Sequence, residues 1–146
     1  MADHPTPADL VHAFVDAVNS RNIDALTALM TDDHTFIDSM GDAIRGKEAM
    51  RQAWIAYSVM VPDYHIDVGE LLVRDAVVAL FGKAGGTFSP DGTLQERNRW
   101  ENHAAWRIVI ERGQVALWQV YTDNEPVRAI MARSGKSGKG KSPHSA

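Results

Sequence analysis

The sequence predicts an α+β domain: a strongly curved sheet with helices packed in its concave face. Three observations carry this. Apolar residues recur at helical spacing through most of the first sixty positions. The period then changes to extended alternation from Tyr64 onward. Turn signals divide that second half into four strands. Helices in front and an antiparallel meander behind bury their apolar faces most simply when the sheet wraps the helices.

Each element has its own signal. Thr6-Pro7-Ala8-Asp9 opens a helix, with Thr6 as N-cap, Pro7 in the first turn and Asp9 near the positive helix end. Leu10, Val11, Phe14, Ala17 and Val18 form its apolar stripe, and Asn19 to Asn22 breaks it. A short helix from about Ile23 to Met30 completes a helical hairpin. Asp32 to Asp38 reads as a strand, Ser39 to Asp42 as a turn, and a second strand piece precedes Gly46. Gly46 to about Val59 is a third helix, with Met50, Ala53, Trp54 and Tyr57 on one stripe, stopped by Pro62-Asp63.

The strands follow. Tyr64 to Val73 alternates, and Arg74-Asp75 is a tight turn. Ala76 to Phe81 is a continuous apolar run, expected of a strand buried on both faces. Gly82, Gly85 and Gly86 predict a bulge or bend on the way to Phe88. Ser89 to Thr93 is a turn, Leu94 to Ile110 a long strand, Glu111 to Gln114 a hairpin, and Val115 to Thr122 the last strand. Asp123 to Pro126 caps a final helix through about Met131. The expected organisation is one domain, 1–133, followed by a flexible basic tail, 134–146, rich in Ser, Gly and Lys.

Composition excludes several functions. The chain has no cysteine, so disulfides, thiolate metal sites and a cysteine nucleophile are out, and a reducing cytoplasm is the expected location. A net charge of −4 argues against nucleic acid as a partner. No signal-peptide pattern or membrane-length apolar run is expected to direct the chain to a membrane. Gly135 to Ser142 matches the phosphate-loop pattern letter for letter, but it follows no buried strand and runs into Pro143. Histidine spacing offers no metal site, and neither metal nor organic cofactor is expected.

Several stretches together resemble the SnoaL-like branch of the nuclear-transport-factor-2-like superfamily. They are Phe14 to Leu26, the strand Asp33 to Asp38, the helix opening Arg45 to Met50, Trp106-Arg107-Ile108, and Arg112 to Val115. Trp118 and Asp123 fall where that family often has a tryptophan and a closing aspartate. The resemblance covers roughly residues 6 to 132. It implies a cone-shaped α+β barrel of the cystatin-like kind, with a pocket between helices and sheet and a homodimer formed through the outer sheet face. It also implies a choice among polyketide cyclases, ketosteroid isomerases, epoxide hydrolases, dehydratases and non-catalytic binding modules, which a shared fold does not make.

Asp38 matches by position the general base of the ketosteroid isomerases. A carboxylate in an apolar pocket is held towards its neutral form, which suits proton abstraction; capping of the Ser39-Met40-Gly41 turn is the competing role. The usual partners depart from the pattern. Phe14 stands where the isomerases have a tyrosine, and Ala104 where SnoaL-type cyclases have an acid–base aspartate. Tyr57, Asn102 and His103 are the candidate substitutes, His103 with a solvent or dimer face as its alternative. His34 shares a strand face with Asp38 and could pair with it or merely mark a helix end. Trp118 is followed by Gln119-Val120, so the epoxide-hydrolase set is absent. Trp54, Trp100 and Trp118, with Phe14 and Asn102, would line a pocket for a small hydrophobic or aromatic ligand, or simply fill the core. Two readings stay open. One is a cofactor-independent isomerase, cyclase or lyase acting on a small apolar carbonyl compound through Asp38. The other is a non-catalytic ligand-binding or dimerisation module.

Overall fold

A computed structural model describes residues 5–134. The expectations for the tail from 135 onward, the phosphate-loop lookalike included, lie outside these residues.

The elements run α1 (Pro7–Ser20), α2 (Ile23–Ala28), β1 (Met30–Ile37), β2 (Ala43–Arg45), α3 (Lys47–Met60), β3 (His65–Arg74), β4 (Val77–Thr87), a 3-10 turn (Glu96–Asn98), β5 (Arg99–Glu111), β6 (Gln114–Thr122) and α4 (Glu125–Arg133). The order matches the sequence reading. Thr6 caps α1 through a reciprocal pair of hydrogen bonds with Asp9. Arg21 ends α1 in the left-handed conformation and anchors it by donating from Nε to the Pro62 carbonyl at 2.6 Å.

All six strands form one sheet in the order β2-β1-β6-β5-β4-β3, with β2 and β3 at its edges. Every pairing is antiparallel except β1 with β6. The β5–β6 hairpin turns on Arg112 and Gly113, both at positive φ, as a type I′ turn requires. Asn19 extends α1 onto the sheet: its side chain accepts from Ile66 N at 2.8 Å and donates to Ile66 O at 3.0 Å, imitating a neighbouring strand.

The core lies between the helices and one sheet face. Phe14, Phe36, Leu80, Trp106, Ile108 and Trp118 are fully buried there.

Three expectations need correction. Residues 94–98 are not strand: Ser89 and Asp91 close a turn on Thr93, and a 3-10 turn carries the chain to Arg99, leaving Leu94 exposed. The run Ala76 to Phe81 is buried on one face only, because helices cover one side of the sheet; Val78 and Leu80 are inside and Phe81 is 43% exposed. The bulge is on β3, where Gly69 is the extra residue, while β4 pairs with β5 without interruption from Val77 to Thr87. Gly82 still has a role there, since a Cβ on it would sit 2.0 Å from the Asp67 carbonyl oxygen.

Candidate functional site

The β1 strand brings His34 and Phe36 to the inner face at alternate positions, and Asp38 follows directly after the strand ends; all three are buried. Each polar member has a backbone task. The β1–β6 register shifts between Met30, which pairs with Val115, and Thr35, and across this irregularity the His34 ring reaches the Val115 carbonyl. His34 lies 2.7 Å from it through Nδ1. A carbonyl only accepts, so Nδ1 carries the proton and Nε2 presents its lone pair. Burial pushes the His34 pKa below the ordinary 6.5, outweighing the opposing hydrogen bond and the nearby Asp33 charge. The ring is therefore neutral at pH 7, with Nε2 buried and unpaired among the described residues.

Asp38 caps the turn into β2. Its Oδ1 accepts from Met40 N at 2.9 Å and from Asp42 N at 3.0 Å, and its own backbone exchanges bonds with Asp42 and Gly41. The competing role foreseen for this residue is thus present in the structure, on a residue only 4% exposed.

Two aromatic groups fill the interior. In the first, Phe14 on α1 stacks on Trp118 of β6 at 4.2 Å, with His34 at 6.0 Å from Phe14 and Trp106 at 6.3 Å from Trp118. In the second, Tyr64 contacts Tyr57 at 5.2 Å, Trp100 at 6.1 Å and Trp54 at 6.3 Å. Burial raises both tyrosine pKa values, with the Asp63 charge adding to the effect on Tyr57, so both phenols stay protonated. Six buried polar atoms in these groups have no hydrogen-bond partner among the described residues: the Nε1 of Trp54, Trp100, Trp106 and Trp118, the Tyr64 hydroxyl and His34 Nε2.

The predicted site residues therefore divide. Phe14, His34, Asp38, Trp54, Tyr57, Trp100 and Trp118 are all buried on the inner side. Asn102 also belongs to the inner-facing parity but is half exposed, and its amide donates to the Asp123 carbonyl at 3.0 Å. His103 is the correction: an odd position on β5, it is exposed on the outer face beside Lys83 and cannot share a site with Asp38. The parity that groups 98, 100, 102, 104 and 106 already excludes it. Trp106 and Tyr64 are interior residues the sequence reading did not place in the site; the same parity marks Trp106, and the alternation from Tyr64 sets Tyr64 on the face of Ile66, both of them buried.

An open, curved sheet cradling three helices, with a buried aromatic interior between them, defines the class to which this molecule belongs. The chain belongs to the SnoaL-like domain family, whose profile matches residues 11–118. No curated protein sequence matches it. Among solved structures it is similar to a protein of ketosteroid isomerase-like fold from Catenulispora acidiphila, in complex with trimethylamine (TM-score 0.73, 20% identity, covering 87% of this chain and 95% of that one). It is also similar to a limonene-epoxide-hydrolase-like epoxide hydrolase of M. tuberculosis (TM-score 0.72, 16% identity, 90% and 92% covered). A candidate SnoaL-like polyketide cyclase from Shewanella putrefaciens gives a TM-score of 0.74 at 13% identity, with 88% and 87% covered. These likenesses establish the fold. Among the described residues no helix is long and apolar enough to cross a membrane.

Proposed function

We propose that this SnoaL-like protein binds a small, mostly apolar molecule bearing a hydrogen-bond acceptor, held between the helices and the sheet. The supporting observation is the set of six unpaired polar atoms in an aromatic interior. Buried polar groups are ordinarily satisfied, and a cluster that is not asks for a partner. Four of the six are indole N–H groups, which only donate. A carbonyl oxygen on an aromatic or alicyclic frame meets both the donors and the apolar walls.

The test uses the tryptophans as reporters. Titration with 1-indanone should shift their fluorescence and saturate. Indane, the same frame without the oxygen, should bind about tenfold more weakly, the worth of one hydrogen bond inside a protein. Equal binding of the two compounds, or none, defeats the acceptor-binding reading.

A catalytic reading is favoured by one fact, the burial of Asp38 on the same inner face. On that reading Asp38 removes a proton beside the carbonyl. The chain would then accelerate exchange of the α-hydrogens of 1-indanone in D2O, followed by NMR. Asp38→Asn should abolish the exchange while keeping the fold, because the amide oxygen still accepts from Met40 and Asp42. Binding without exchange leaves the module reading alone.

The proposed protein partner is a second copy of the chain on the outer sheet face. Leu72, Phe81 and Tyr121 are about half exposed there on β3, β4 and β6. Phe81, Ala105 and Tyr121 form one continuous row across three strands.

A further inference from the structure

We propose that His65, Asp67 and Glu101 form a binding site for a divalent transition-metal ion, of the zinc class, on the outer face of the sheet. Strand pairing sets His65, Gly85 and Glu101 in one row across β3, β4 and β5. Asp67 follows His65 by two positions on β3 and so shares its face. The residue between the imidazole and the Glu101 carboxylate is Gly85, which contributes no side chain, so the two can meet above it. The strands are packed too closely there for any other residue: a Cβ on Gly85 would lie 2.8 Å from the Trp100 carbonyl oxygen. One ligand atom from each of the three side chains lies within 4.8 Å of the other two.

The histidine is oriented for the task. Its Nδ1 is 3.2 Å from the Asp63 carbonyl, which can only accept, so Nδ1 carries the proton and Nε2 turns its lone pair towards the carboxylates. Asp63 is itself held, its carboxylate accepting from Thr87 N at 2.7 Å and from the Thr87 hydroxyl at 2.8 Å. A histidine whose second nitrogen donates to a fixed backbone carbonyl is the arrangement metal-binding imidazoles use. His65 Nε2 is 3.8 Å from Asp67 Oδ2, too long for a hydrogen bond. Donors bound to one zinc ion at about 2.0–2.2 Å stand roughly 3–3.5 Å apart, so small side-chain rotations bring these three to bonding distance. Lys83 lies 3.9 Å from Glu101 and acts as the competing cation that an arriving ion displaces. One nitrogen and two carboxylate oxygens favour zinc over magnesium or calcium, which take oxygen ligands. Three protein ligands on an exposed surface leave further coordination positions to water.

The experiment is calorimetric titration of the full chain with zinc chloride, with thermal melts to show that each variant folds. The expected result is one ion bound per chain, unaffected by millimolar magnesium or calcium. His65→Ala and Glu101→Gln should each weaken binding at least about tenfold, and Lys83→Met should strengthen it. On the unmodified chain, imidazole nitrogen NMR should show zinc shifting His65 Nε2, a readout independent of any variant. Absence of saturable zinc binding overturns the proposal. So does zinc binding that is unchanged in both ligand variants, which would place the ion on other histidines.

Discussion

The two faces of one sheet obey opposite rules. The inner face is enclosed: Trp106, Ile108, Trp118 and Val120 are at most 1% exposed. The outer face, built on the same strands and the alternate residues, carries Asp67, Lys83, Glu101, His103 and a row of half-exposed apolar side chains. Removing an inner side chain opens a void that the packing cannot collapse into. Removing an outer one changes what the surface can hold. The difference separates enclosed from solvent-facing side chains residue by residue, on the same strands.

The largest effect that would sharpen this contrast is on stability. Trp118→Ala should cost about 3–5 kcal/mol, since it deletes a fully buried ring stacked on Phe14. Urea denaturation measures it, and a loss under about 1 kcal/mol would mean that the inner face is not the core.

Next comes pH. The folded His34 pKa lies below the unfolded 6.5, so the unfolded chain takes up the proton first. Its contribution is fully present above 6.5 and is lost as pH falls below that value towards the folded pKa. His34→Gln should flatten that part of the stability–pH curve, measured by urea melts at pH 7.5 and 5.5. An unchanged slope would show that some other group accounts for it.

The smallest effect on folding belongs to the outer face. Phe81→Lys should alter monomer stability by no more than about 0.5 kcal/mol, yet convert a dimer to monomers by analytical ultracentrifugation. A large loss of stability in the monomer would erase the distinction between the faces.

Much of the inner face was legible because strands and helices announce their periods. Phe14 lies on the stripe of α1, and Trp100 and Trp118 occupy inward positions of β5 and β6. The start of β5 was not legible: alternation could be traced back to Leu94, but the Ser89 and Asp91 side chains spend those residues on a turn. The tasks of His34 and Asp38 were only half legible. Asp38 capping its own turn is local, and sequence can suggest it. The partner of His34, Val115, is 81 positions away and becomes a neighbour only through the parallel β1–β6 pairing. The same holds for Glu101, which reaches His65 only by a register that no spacing rule encodes.

The β3 bulge has a consequence beyond the pairing it alters. β3 is ten residues long and lies at the edge of the sheet, covered at Ile66 by the Asn19 side chain, with Leu72 and Val73 exposed farther along it. A straight edge of that length is a template on which other chains can add strands without limit. The extra residue at Gly69, matched by a Gly82 that admits no side chain, bends and twists that edge partway along. Substituting either glycine would therefore put at risk the chain's ability to remain dispersed at high concentration, and the damage would appear as aggregation before it appeared as lost function.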